Sequence, residues 1–194
     1  MPRPKVIILA GPNGAGKSTA KRLFIPDFIP FINADEIAKD LQQEGHPTGS
    51  ATDLQAGRLL LQRISEQVAE RNSFAVETNL ANRTLAQRIV QWQHIGYVVY
   101  LYYLWVPSPE FAIARVAQRV RMGGHYIPDE TVRRRYYRGI QLLFSTYIPL
   151  VDYWRIQNSS FPSGPRLAAR GVRQIRDKAV WQSMHEVLKS YKEE

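Results

Sequence analysis

The sequence predicts a three-layer α/β fold on a mainly parallel sheet. Three observations predict it. Short apolar runs recur along the chain, amphipathic helical patterns separate them, and the first run opens directly into a glycine-rich turn. The clearest runs are continuously apolar rather than alternating, as expected of parallel strands covered by helices on both faces. Strand–helix alternation behind such a turn places the helices on the two sides of one sheet. A chain of 194 residues with 44% hydrophobic content has the size and composition of one domain, expected over residues 1–194.

The first strand is expected at residues 6–10 (VIILA), followed by Gly11, Pro12, Asn13, Gly14, Ala15, Gly16, Lys17 and Ser18. This is the G-x-x-x-x-G-K-[ST] phosphate loop, set between a strand and a helix start. Glycines let the backbone curl so that successive N–H groups point at phosphate oxygens, and the following helix adds its positive dipole end. Lys17 is placed to reach the outer phosphates and the Ser18 hydroxyl to ligate Mg²⁺. Thr19 is a second hydroxyl of the same loop, expected to serve in packing the helix N-terminus. The loop predicts binding of a nucleoside triphosphate.

A short second strand at residues 31–33 is followed by Ala34, Asp35 and Glu36. Ligands collect at the carboxyl ends of strands in a doubly wound sheet, which brings Asp35 near a γ-phosphate, as a base for an attacking hydroxyl. Helix capping by Asn33 with Glu36 is the alternative; it accounts for those two residues and leaves Asp35 free. A loop at residues 45–50 precedes a helix over 52–71, with Leu54, Leu61, Ile64 and Val68 as its buried stripe. The third strand, 74–77, ends in Glu77-Thr78. Burying Glu77 without a charged partner is costly, which points to a metal-bound water or a substrate as its partner. The other reading is an N-cap by Thr78 or Asn79. Leu85, Ile89 and Trp92 line the next helix, and residues 97–106 form the fourth strand.

Arg115 and Arg119 lie four apart and so share a helix face. Arg121, Gly123, Gly124 and His125 follow, then Arg133, Arg134, Arg135 and Arg138. Two arginine-bearing helices about a Gly-Gly-His hinge predict a mobile lid over roughly 108–140, with Arg119 and Arg134 as the phosphate-facing members; a basic surface hairpin is the plainer reading. Strands at 154–158 and 166–169 flank a turn-rich loop at 158–165, and Val180, Met184, Val187 and Tyr191 line the last helix.

Composition narrows the function classes. The chain has no cysteine, which excludes disulfides, thiolate zinc sites and a cysteine nucleophile. His46, His94, His125 and His185 lack metal-site spacing. No secretory signal is visible, and the longest apolar run, 97–106, is far shorter than the ~20 residues a bilayer span needs. A soluble cytoplasmic protein with no membrane partner is expected. The formal charge of +9, from 26 Lys+Arg against 17 Asp+Glu, calls for an anionic partner.

Taken together, GPNGAGKST, INADEIA, the Ala56-Gly57-Arg58 triplet, FAVET, RVAQRVRMGGHYIP and RRRYYRG resemble the zeta-toxin-type P-loop kinases over about residues 6–158. The resemblance implies a P-loop kinase fold with a helical arginine-bearing lid, and ATP and Mg²⁺ as cofactors. It implies an anionic small-molecule acceptor, a UDP-sugar such as UDP-N-acetylglucosamine in the toxin members. Lys17 and Ser18 would then hold phosphates and metal, Asp35 would be the base, Glu77 and Thr78 would meet the acceptor, and arginines around Arg119 and Arg134 would stabilise charge. Two departures stand out. Toxin members carry helical sequence ahead of the phosphate loop, which here starts near the N-terminus, so an antitoxin-like inhibitor has no support from these residues. Glu77 is followed by Thr78-Asn79-Leu80-Ala81 rather than a glycine-bearing acceptor loop, which leaves a different acceptor open.

Three other readings compete with a kinase. An enzyme acting on nucleic-acid ends suits the net charge, but aromatic residues fall in core-like runs rather than among the basic ones, so nucleic acid is not the expected partner. A transport ATPase would need an LSGGQ-like signature and a strand ending in Asp-Glu, and neither is present. A nucleotide-dependent interaction protein without transfer activity differs only in its output.

Overall fold

The computed structural model describes residues 3–47, 49–124, 126–171 and 174–190. The chain runs β1 (Lys5–Ala10), α1 (Lys17–Phe24), β2 (Phe31–Ile32), α2 (Ala34–Gln43), α3 (Ser50–Ala69), β3 (Phe74–Thr78), α4 (Thr84–His94) and β4 (Val98–Trp105). It continues through α5 (Pro109–Arg121), α6 (Asp129–Leu142), a π-helical turn (Leu143–Tyr147), α7 (Ile148–Leu150), β5 (Tyr153–Asn158), β6 (Arg166–Arg170), β7 (Gln174–Ile175) and α8 (Lys178–Ser190). The seven strands form one sheet in the order β2-β3-β1-β4-β5-β6-β7. Strands β1 to β5 pair in parallel and β6 and β7 add antiparallel. This is the expected three-layer α/β fold, with a two-residue seventh strand that its sequence, Gln174-Ile175, is too short to announce.

Burial follows the apolar runs at the sheet centre. Val6 to Ala10 of β1 are all buried, because neighbours flank the strand and helices cover both faces. The expectation of two-sided burial fails in the first parts of β4 and β5. Along β4, Val99, Leu101 and Tyr103 are buried while Val98, Tyr100 and Tyr102 are half-buried; on β5, Trp154 and Ile156 are buried while Tyr153 and Arg155 are exposed. That period of two marks a stretch less covered on one face; toward the carboxyl ends, Leu104 and Trp105 of β4 and Gln157 and Asn158 of β5 are buried in succession.

Two helix assignments need correction. On α3 the buried positions are Thr52, Ala56 and Ile64, with Leu61 and Val68 partly buried, whereas Leu54 is 60% exposed. Leu54 turns toward a cleft instead of the core. Thr19 is exposed, and Ala20 does the packing at the start of α1. Leu85, Ile89 and Trp92 are buried as expected, and so are Val180 and Met184. Tyr191 and His125 lie outside the described residues. Among the described residues no helix is long and apolar enough to cross a membrane.

Candidate active site

Strand order decides which side chains meet. β3 lies between β1 and β2, with Leu9 opposite Glu77 and Ile32 opposite Val76. The residues that follow β1 and β2 therefore converge on the end of β3. Gly14 and Gly16 take left-handed backbone at φ 77° and 79°, which curls the loop after β1 and delivers Lys17 into it. The Lys17 ammonium is buried. It donates to the carbonyls of Gly11 (2.9 Å) and Pro12 (3.1 Å) and lies 3.6 Å from Glu77 Oε1. Ser18 Oγ and Asn33 Nδ2 both donate to Glu77 Oε2, at 3.4 and 3.3 Å.

Asn33 caps α2, its Oδ1 accepting from the Asp35 backbone N–H at 2.9 Å. The capping reading is thus correct for Asn33, and it leaves the exposed Asp35 carboxylate unoccupied by the cap, facing the same cleft. Thr78 and Asn79 do not cap α4. Thr78 Oγ1 accepts from Leu80 N and Asn79 Oδ1 from Ala81 N, turning the chain so that Leu80 reaches φ 56°. Tyr147 Oη clamps this loop at the Asn82 carbonyl (2.6 Å). Gly139 of α6 lets the helix lie against it, since a Cβ there would come within 2.8 Å of the Asn79 carbonyl oxygen.

These groups line a cleft of about 950 Å³. Lys17, Asn33, Asp35, Glu77 and Thr78 line it, together with Leu54, Gly57, Arg58 and Leu61 of α3. Tyr126, Thr131, Arg134 and Arg135 line it as well. Of the two arginines singled out from the sequence, Arg134 lines the cleft and Arg119 is not among its lining residues. The neighbouring Arg135 reaches the phosphate loop itself, donating to Asn13 Oδ1 at 3.2 Å. Burial lowers the Arg135 pKa from the ordinary value and Asp35 works against that shift. Arg58 and Arg135 were missed as site residues; membership of the AGR and RRR runs was the available signal, and helix phase selects within them.

The paired glycines close a helix. Gly123 takes φ 82° and donates to the Val120 carbonyl, and Gly124 donates to that of Arg119. This is a Schellman cap at the end of α5. The helix bases are tied down as well. Arg115 donates to the Ser159 carbonyl (2.8 Å), Ser159 Oγ to the Ala15 carbonyl (2.7 Å), Tyr136 Oη to the Val106 carbonyl (3.1 Å), and Arg133 pairs with Glu110.

Burial pushes the Glu77 carboxyl above the usual range, Lys17 pulls it back and Asp35 adds to the rise. A raised folded pKa means that its contribution to stability is complete below the ordinary value of 4.5 and is lost as pH climbs through the raised one. Glu77→Gln cannot titrate. Its melting temperature relative to wild type should therefore increase between pH 4.5 and pH 8, as read by thermal melts across that range; a flat difference would show that burial does not raise the Glu77 carboxyl.

A phosphate loop after the central strand of a mainly parallel sheet, opening on an acid- and arginine-lined cleft, defines a P-loop kinase-like enzyme. The family follows from the sequence: the Zeta toxin family model matches residues 1–143, and the chain belongs to that family. An uncharacterized protein of Haemophilus influenzae is 31% identical over 133 residues, covering 68% of this chain and 92% of its own. Among solved structures, the PezAT chromosomal toxin-antitoxin system of Streptococcus pneumoniae superposes with TM-score 0.67 at 17% identity, over 100% of this chain and 85% of the other. The AvrRxo1-ORF1:-ORF2 complex with ATP gives 0.72 at 15% identity, over 94% of this chain, which spans 63% of the length of that one. At these identities the structural likenesses establish the fold.

Proposed function

We propose that the protein is an ATP-dependent phosphotransferase that moves the γ-phosphoryl group of ATP to a hydroxyl of a small anionic acceptor. The observation that carries this reading is the meeting of Lys17, Asp35, Glu77, Arg134 and Arg135 in one cleft. The loop amides and Lys17 hold the triphosphate, and Asp35 accepts the proton of the acceptor hydroxyl as its oxygen bonds to the γ-phosphorus. The bond from that phosphorus to the bridging oxygen breaks, and ADP leaves. Arg134 and Arg135 stabilise the charge on the transferring group.

Glu77 and Thr78 meet the acceptor. Its anionic part faces Arg58 and its apolar part Leu54 and Leu61, a combination that suits a UDP-sugar such as UDP-N-acetylglucosamine. Among the described residues no three His, Asp or Glu side chains gather as a metal cage. Mg²⁺ would be held by Ser18 Oγ and the phosphates, with Glu77 beside it, and would supply charge neutralisation for the transfer.

Incubation with γ-labelled ATP, Mg²⁺ and a panel of UDP-sugars, nucleosides and oligonucleotides tests the reading. Label should pass to a small anionic hydroxyl compound. Asp35→Asn should slow that transfer by about 10²–10⁴ while calorimetric ATP affinity stays near wild type. Normal turnover by the variant would remove Asp35 as the base.

A further inference from the structure

The less covered stretch of the sheet noted above presents an unusual surface. Trp154 and Ile156 face the covered side, where Trp181 of α8 stacks on Trp154 at 6.2 Å. The opposite side of β4, β5 and β6 is only partly covered: Phe24 of α1 stacks on Tyr102 at 5.0 Å, and beyond that contact the face holds a hollow of about 670 Å³. It lies away from the reaction: Tyr153 begins β5 and Tyr100 stands in the first half of β4, whereas the phosphate loop follows the carboxyl end of β1.

Its lining is aromatic and cationic. Tyr100 and Tyr153 stack at 4.9 Å and 15°, and Tyr153 is 58% exposed. Arg155 lies 5.8 Å from the Tyr102 ring and stands directly across the antiparallel ladder from Arg170. Like charges facing across a ladder are destabilising unless an anion sits between or over them. Asp152, the one carboxylate lining the hollow, is occupied by the Val99 N–H (2.8 Å) and Gln93 Nε2 (3.1 Å). Among the described residues no carboxylate lies within salt-bridge distance of Arg155 or Arg170.

We propose that this face binds single-stranded nucleic acid. Bases are flat and stack on tyrosine rings, and phosphates neutralise the opposed guanidinium pair. From β4 to β7 the face spans three strand spacings, about 14 Å, the scale on which an aromatic-bearing sheet holds two or three bases. A duplex hides the base faces the tyrosines need. A second copy docked face to face would set Arg155 and Arg170 against the same charges. The chain's +9 charge adds long-range attraction. The aromatic runs that argued against nucleic acid in the sequence are, on these two strands, turned half outward.

Fluorescence anisotropy with labelled single strands of about ten nucleotides, RNA and DNA in separate arms, tests this at two salt concentrations, with a duplex of equal length as control. Single strands should bind with an affinity that falls with salt, and the duplex at least about tenfold more weakly. Tyr153→Ala should weaken binding about five- to tenfold at an unchanged salt slope. The Arg155→Ala/Arg170→Ala double variant should weaken it more than about tenfold and flatten the slope by about 1.4, two contacts at 0.7 each. ATP affinity should be unchanged in both, and because Tyr153 and Arg155 are exposed, circular dichroism should match wild type. The proposal is overturned if neither strand binds at the lower salt, or if both variants bind like wild type. It is equally overturned by a dimer that Tyr153→Ala dissociates without any oligonucleotide bound, which would mark the face as a self-contact.

Discussion

Lys17→Ala should lower kcat/KM for phosphoryl transfer by about 10³–10⁵, on the scale of other charges aimed at a transferring phosphoryl group. The ammonium is buried and held by the Gly11 and Pro12 carbonyls, so it is already positioned over the loop before any phosphate arrives. Alanine removes that fixed charge and strands Glu77, whose other close neighbours include the like-charged Asp35. The loss of Lys17 therefore pushes the Glu77 carboxyl further up. Removing one partner of a buried pair is destabilising, here about 1–3 kcal/mol because Glu77 can take up a proton instead. The stability loss should be larger at pH 8 than at pH 5, and the Lys17→Ala/Glu77→Gln double variant should recover stability without recovering activity. Initial-rate kinetics and paired melts at the two pH values check this. A Lys17→Ala enzyme with near-normal kcat/KM would refute the assignment of the loop.

Gly14→Ala should cost about 3 kcal/mol, a fall of about 6–12 °C in Tm for a chain of this size. Two penalties add. The backbone sits at φ 77°, where a side chain is strained, and the new Cβ would lie 2.4 Å from the Ala112 carbonyl oxygen. That oxygen is main chain within α5, so nothing flexible can yield. Either the phosphate loop lifts from α5 or the helix shifts, and in both cases the cleft loses its geometry and transfer falls with stability. Gly123→Asn is the matched control. Its φ is similar at 82°, yet a Cβ there meets nothing within 4 Å, and asparagine tolerates the left-handed region. It should move Tm by only about 2 °C. Equal losses for the two variants would mean that backbone strain alone, and not the seat against α5, sets the cost.

The phosphate loop was legible because its chemistry is contiguous. Eight successive residues between a strand and a helix carry the curl, the lysine and the hydroxyl. Asp35 and Glu77 were legible one step further, because parallel strands deliver their carboxyl ends to one edge. Arg135 was not separable from Arg133 and Arg134, since only helix phase sends Arg133 to Glu110 and Arg135 to Asn13. The Ser159 bridge between Arg115 and Ala15 joins residues 44 and 144 positions apart, and its serine sat in an ordinary turn-rich loop. The helix cap at Gly123-Gly124 shows only once the Arg119 and Val120 carbonyls are seen to accept from it.

Sequence alone determined the strand–helix alternation, the phosphate loop and the acids at the strand ends, because each depends on periodicity or on neighbours along the chain. Tertiary structure alone decided which arginines face the cleft, that Leu54 lines it rather than the core, and that the first parts of β4 and β5 are only partly covered on one side. Those outcomes depend on where helices pack over the sheet, a balance of burial among residues far apart in the chain that no local pattern encodes.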